Sequence, residues 1–203
     1  MPNWTTNDLM VEGPAADIAQ FYKTMINDEG DFDFNGVIPM PEAIRGTHKS
    51  TAAEIGLTLV GAIEQKTLER PSTFQPYYST LVVARHEAEP FWITAMRYLD
   101  ENPTAREEGE AALLAKVLTG YTNWYDWSVD HWGVKWNACR TELFAEELPV
   151  GATYVQVRFE TPWGPPEPVY EALMNCFPTL TFEVEWQDEG DWNTHTQIYH
   201  KGA

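Results

Sequence analysis

Six residues in one short stretch have the types and spacing for joint chemistry: Asp126, Asp130, His131, Trp132, Lys135 and Trp136. Asp126 and Asp130 are four apart, which places both carboxylates on one helix face. A lysine held among indole rings is stripped of water, its charged form is disfavoured, and it becomes a competent base or nucleophile. Thr161 and Trp163, at the end of a predicted strand, are expected to approach the same place, and polar groups among Trp rings suit a small-ligand pocket. The same residues also build a structural corner. In that reading Gly133 caps a helix, Trp132, Trp136 and Trp163 fill a core, and Lys135 pairs with a carboxylate. The structural reading takes precedence, because buried Trp N–H groups recruit polar partners in any case. No residue is assigned a catalytic role, and no cofactor is expected.

The other reactive side chains are scattered. His195 and His200 are separated by an odd number on one predicted strand, so they face opposite ways and do not chelate together. His48 and His86 have no carboxylate or cysteine at ligand spacing. The acidic turns at 28–33 and 188–191 do not follow the twelve-residue calcium-loop pattern. Metal binding is therefore not expected. The chain has no phosphate loop, no G-x-S-x-G and no Cys/His nucleophile pair. Its two cysteines, Cys139 and Cys176, make neither a disulfide framework nor a zinc spacing.

The elements that must position these residues read as follows. A strand over 4–12 ends at Gly13-Pro14, and a helix over about 14–28 carries Ile18, Phe21, Tyr22, Met25 and Ile26. Residues 32–38 suggest a short strand. Helices are predicted over 50–69 and 87–100. Thr104 and Glu107 form a capping box for a long helix over about 105–130, with Leu114, Val117, Leu118, Tyr121 and Tyr125 on its apolar stripe. After Gly133 the period changes to two. Strands are predicted over 135–146, 154–161, 181–187 and 192–200, with a helix after Pro165-Pro166 that turns Val169, Leu173, Cys176 and Phe177 inward.

This order predicts an α+β fold: an antiparallel sheet with helices on one face, interrupted by a helical insertion. Residues 1–203 are expected to form a single domain, with a core from 1–40 and 133–203 and the insertion at about 42–131. The open sheet face is expected to present Glu160, Glu183 and Glu185 beside Arg158.

Charge is the most unusual feature of the composition. Thirty-one acidic residues stand against thirteen basic ones, a formal net charge of −18, and residues 1–48 and 141–203 together hold −15 of it. Nucleic-acid binding relies on Lys and Arg neutralising phosphates, so direct nucleic-acid binding is not expected. The opening residues carry no basic, apolar leader, and no apolar run approaches the roughly 20 residues of a membrane span. A cytoplasmic protein with reduced thiols and no membrane contact is the expectation, with oligomeric state left open.

Several motifs resemble the YubB-like ferredoxin-like family of plasmid and phage proteins. They are Met1-Pro2-Asn3-Trp4 with Asn7, Val11 and Gly13; Pro39-Met40-Pro41; Trp132 to Ala138; Phe159-Glu160-Thr161-Pro162-Trp163-Gly164-Pro165-Pro166; and Phe177-Pro178. Thr5 departs from the family pattern, which commonly has Cys there, and the long middle has no counterpart. The resemblance implies a ferredoxin-like fold and a mobile-element origin, and it implies no activity.

Two functions compete. The first is a non-enzymatic interaction protein whose acidic face, with Glu160, Glu183 and Glu185, binds a basic host protein in place of nucleic-acid phosphates. The second is an enzyme or small-ligand-binding protein using the Trp-lined corner around Lys135. The interaction protein is preferred.

Overall fold

The computed structural model describes residues 3–69, 89–144, 148–191 and 193–200. It divides into two compact units, one of residues 1–40 and 128–203 and one of residues 41–127.

The first unit is built on a five-stranded sheet. β1 (Trp4–Glu12) lies in its middle, with both of its edges paired. It pairs antiparallel with β3 (Tyr154–Pro162) on one side and with β4 (Thr181–Asp188) on the other. β2 (Cys139–Leu143) joins β3, and β5 (His195–Tyr199) joins β4, giving the order β2-β3-β1-β4-β5. The first four strands with α1 (Ala15–Met25) and α7 (Glu167–Cys176) form a ferredoxin-like β-α-β-β-α-β arrangement, and β5 extends the sheet.

Leu9, Val11, Val157, Phe159, Phe182 and Val184 turn to the helix-covered face, where Ile18, Phe21, Met25, Val169, Tyr170 and Leu173 meet them. Phe21 packs on Phe182 and Phe177 at ring separations of 5.9 and 5.7 Å, which locks α1 onto the sheet. The sheet is thus apolar on one face and polar on the other, as strict alternation dictates.

Some elements differ from the sequence expectation. Residues 32–38 are not a strand: Phe32 makes one bridge to Ile26, and Phe34–Gly36 is a short 3₁₀ turn. Asp33 and Asn137 hold it there, since Asp33 Oδ1 accepts from Asn35 N and Asn137 Oδ1 accepts from Phe34 N. These side-chain bonds replace the ladder a strand would need. β2 is shorter than 135–146, and residues 145–147 lie outside the described chain. In α7 Cys176 is exposed, and Tyr170 holds the inward position instead.

The second unit is helical, with α2 (Glu42–Arg45), α3 (Thr51–Glu64), α4 (Phe91–Glu101), α5 (Pro103–Thr119) and the start of α6 (Trp124–Trp132). Ile55, Leu59, Phe91, Ala95 and Leu99 form its core. The predicted helix over 87–100 is α4, and residues 70–88 lie outside the described chain.

The long helix over 105–130 is two helices. Gly120, at φ +87°, ends α5 in a left-handed cap, and α6 starts four residues later. The first residue of α5 is Pro103 after Asn102, so Thr104 is not the cap. The face of α5 is also not the expected one. Ala105, Gly109, Ala112 and Ala115 point inward, while Leu114, Val117 and Leu118 are 57%, 74% and 63% exposed. The reason is the closeness of α3: a Cβ on Gly56 would lie 1.8 Å from the Ala105 carbonyl oxygen. Only small residues allow two backbones that near, so they take the inner face regardless of hydrophobicity.

Candidate functional site

The open sheet face presents one row of charge across four strands. Register places Glu142 of β2 against Arg158 of β3, Arg158 against Asp8 of β1, and Asp8 against Glu185 of β4. Arg158 makes a two-pronged pair with Asp8, with Nε to Oδ1 at 2.8 Å and Nη2 to Oδ2 at 2.9 Å. That hydrogen bond strengthens its hold on its proton and raises its pKa. Glu185 therefore faces a carboxylate whose one strong cationic partner lies on the other side. Glu183 sits one step along, opposite Met10 and Ile198. Tyr154 reports the local field: burial raises its pKa first, and Glu12, Glu183 and Asp8 raise it further.

A depression of about 490 Å³ opens at one end of this face, between Trp4, Arg140 and Glu160 on one wall and Gln187 to Asp191 on the other. A neighbouring hollow of about 290 Å³ contains Asp8, Arg158 and Glu185 and shares Thr6 and Gln187 with it. The turn at Asp188–Asp191 forms as expected, with Gly190 at φ +88°. It is clamped to β1: Glu189 N donates to the Trp4 carbonyl at 2.7 Å, Trp4 N donates to Glu189 Oε2 at 3.1 Å, and Thr5 donates its hydroxyl to Asp188.

Arg140 occupies a bulge between the β2–β3 pairings and has φ +52°, a left-handed conformation unusual for a residue with a side chain. The bulge aims its guanidinium at Glu160 and sets it 4.8 Å from the Trp4 ring centroid. Trp4 in turn leans on Trp136 at 5.8 Å, and the Lys135 ammonium lies 4.3 Å from Trp136 and 5.9 Å from Trp163. Two cations and three indoles thus run from the depression to the β3–α7 corner. Trp163, at φ +77°, is half exposed.

The residues singled out in the sequence separate into five places. Asp126 lies at the start of α6 in the helical unit. Asn123 Oδ1 accepts from Asp126 N at 2.9 Å, Asn123 Nδ2 donates back to Asp126 Oδ2 at 2.9 Å, and Lys49 Nζ donates to Asp126 Oδ1 at 2.7 Å. Burial raises the Asp126 pKa, but the bonds from Lys49 and Asn123 and the Lys49 charge outweigh it and hold the group below the usual carboxylate range. This is a helix cap. Asp130 is exposed and His131 half-buried near the end of α6. Gly133, at φ +77°, follows the helix, and a Cβ there would sit 2.8 Å from Pro168 Cδ.

Trp132 is a core residue, packed on Phe34 and donating Nε1–H to the Ile38 carbonyl at 3.0 Å. Trp136 and Trp163 are not core, because the corner ends in solvent. Lys135 lies near both Trp136 and Trp163 there, while Thr161 points into the interior. Thr161 accepts from Asn7 Nδ2 at 2.9 Å and donates to the Gly164 carbonyl at 2.7 Å. Asn7 Oδ1 accepts from the Tyr170 hydroxyl at 2.9 Å, which completes a fully buried polar chain. Burial puts the Tyr170 pKa well above the usual phenol range, with Tyr199 adding to it.

Sequence reasoning missed Asn7, Tyr170, Trp4 and Arg140. Asn7 had a signal, since it shares the inward parity of Leu9 and Val11. Arg140 had none, because a bulge reverses the parity on which its placement would be read.

His195 stacks on Trp186 at 5.4 Å, with Nε2 3.6 Å from Asp191. Burial raises the Cys139 pKa first, Arg140 opposes this, and Glu160 and Asp31 add to it. Among the described residues, no group of three or more His, Cys, Asp or Glu is placed to hold a metal ion. No described helix is long and apolar enough to cross a membrane.

No curated protein sequence matches the chain. A crystal structure of protein api92 from Yersinia pseudotuberculosis is similar at 14% identity and a TM-score of 0.43, over 99% of this chain and 95% of that one. Residues 131–203, which supply β2 to β5 and α7, match the family model of the ferredoxin-like domain in Api92-like protein.

Proposed function

We propose that the chain is a non-enzymatic interaction protein whose acidic sheet face binds a basic protein, its carboxylates taking the place of nucleic-acid phosphates. The carrying observation is the pairing of Asp8 with Glu185. Like charges directly opposite on neighbouring strands cost stability. A sheet that keeps such a pair on its open face retains a local conflict, and such conflicts concentrate at functional positions. Net charge supports the same reading: the sheet unit carries nineteen acids and five bases, −14 of the total −18. Its face cations Arg140 and Arg158 are already engaged by Glu160 and Asp8. The partner in this reading is a basic, nucleic-acid-handling host protein, and the chain is a cytoplasmic product of a phage or plasmid. The motif resemblance supports that origin.

The test is affinity capture at low and high salt with identified partners, using the chain and its Glu160→Gln/Glu183→Gln/Glu185→Gln variant. The expected result is a basic partner retained at low salt, displaced by DNA and lost with the variant. Equal retention by the variant, or no basic partner at low salt, overturns the proposal.

A further inference from the structure

We infer that the depression beside Trp4 is a seat for an arginine side chain of the bound protein, and that Arg140 occupies it when no partner is present. This rests on the acidic-face reading and adds to it a defined position and a preferred side chain.

The argument starts from what Arg140 does. Its guanidinium lies over an indole and against a carboxylate, the arrangement in which a planar cation gains from both ring quadrupole and charge. Two features make it a placeholder. Its side chain is 64% exposed, and exposed ion pairs hold weakly, so little resists its exchange. Its backbone is left-handed at +52°, so the chain accepts strain to aim it there.

The space is the second element. At about 490 Å³ the depression holds far more than one guanidinium, and its far wall ends at Asp191. An incoming arginine can therefore approach over Gln187 and Gly190, stack on Trp4 and pair with Glu160 while Arg140 swings outward. Charge complementarity selects a cation. The flat ring and the two-oxygen acceptor select a fork-shaped cation over a compact one, so arginine is favoured over lysine.

The experiment measures binding of acetylated, amidated tri-arginine and tri-lysine peptides to the full chain at low salt, by amide NMR titration. Tri-arginine is expected to shift Thr6, Gln187 and Gly190 and to bind about fivefold more tightly than tri-lysine. Arg140→Gly removes the competing side chain at a backbone conformation glycine accepts freely. It should tighten tri-arginine binding about threefold or more. Lys23→Gln on α1, against the covered face, removes one positive charge as well and should leave the affinity near that of the parent. Equal affinity for both peptides, or equal gains from the two variants, overturns the arginine seat and leaves the acidic face standing. Absence of any binding to the sheet face overturns both.

Discussion

The Tyr170 hydroxyl donates to Asn7 Oδ1 at 2.9 Å, and through Asn7 one helix, one central strand and the end of another strand share a single buried polar chain. Among the described residues no buried side-chain nitrogen or oxygen lacks a partner, so this chain is fully satisfied. A satisfied network fixes α7 over β1 in one arrangement, where apolar contacts alone would tolerate sliding.

Tyr170→Phe leaves the Asn7 carbonyl oxygen buried without its donor. The expected cost is about 1–3 kcal/mol, read as a lower urea midpoint with an unchanged slope. Asn7→Leu is expected to be similarly harmful alone. The double variant should be less destabilised than the sum of the two, since the residues are in direct contact.

Stability should fall in alkali through the same region. Tyr170 is held well above its ordinary range, and Tyr199 is raised to about 12 by burial, then by Glu167 and Glu171. An unfolded tyrosine loses its proton near 10, about two units earlier than folded Tyr199. Between those values the unfolded state binds fewer protons, so stability declines as pH rises from about 10 to 12. Tyr199→Phe should flatten that decline in a pH series of urea melts while leaving stability at pH 7 nearly unchanged.

The α3–α5 contact should reject the smallest possible side chain. A Cβ on Gly56 meets Ala105 O at 1.8 Å and one on Gly109 meets the Gly56 carbonyl carbon at 2.2 Å. Both obstacles are backbone, so the helices must part. Gly56→Ala is expected to cost about 1–3 kcal/mol or more despite alanine's better helix propensity, read as a lower thermal midpoint. Gly61→Ala, where nothing lies within 4 Å, should be neutral or stabilising.

Asn123→Ala removes the cap of α6 and should cost about 1 kcal/mol. Asp126 then loses a partner but keeps Lys49. Because its folded pKa lies below its unfolded one, its contribution is present above the unfolded value and disappears as pH falls through the folded one. Acid melts below about pH 4 should therefore narrow the gap between the parent and Asp126→Asn.

Relief of the Asp8–Glu185 opposition gives a prediction of opposite sign. Glu185→Gln should leave stability equal or higher by about a few tenths of a kcal/mol, read as an equal or slightly higher thermal midpoint, while weakening capture of a basic partner. A drop in stability would show that Glu185 is a structural residue and remove the main support for the acidic-face proposal.

The sequence by itself determined β1, β3 and β4 and the faces of their side chains. Alternation along 4–12 and 154–161 put Leu9, Val11, Val157 and Phe159 on one side and Glu160 on the other, and pairing preserves that parity. A sheet covered on one face and the outward Glu160, Glu183 and Glu185 follow from it, and the motif resemblance added the ferredoxin-like class. The tertiary structure decided what depends on distance between segments. It gave Asp126, at the start of α6, to Asn123 and Lys49, and gave Lys135, beyond the other end of that helix, to Trp136 and Trp163. It sent Thr161 inward to Asn7 and Tyr170, since a buried amide must find partners wherever the chain supplies them. It turned Leu114, Val117 and Leu118 outward, because the approach of Gly56 to Gly109 is a steric fact that no hydrophobic pattern encodes. It set Arg140 over Trp4 through a bulge, where one extra residue overrides the two-residue period on which strand reading depends.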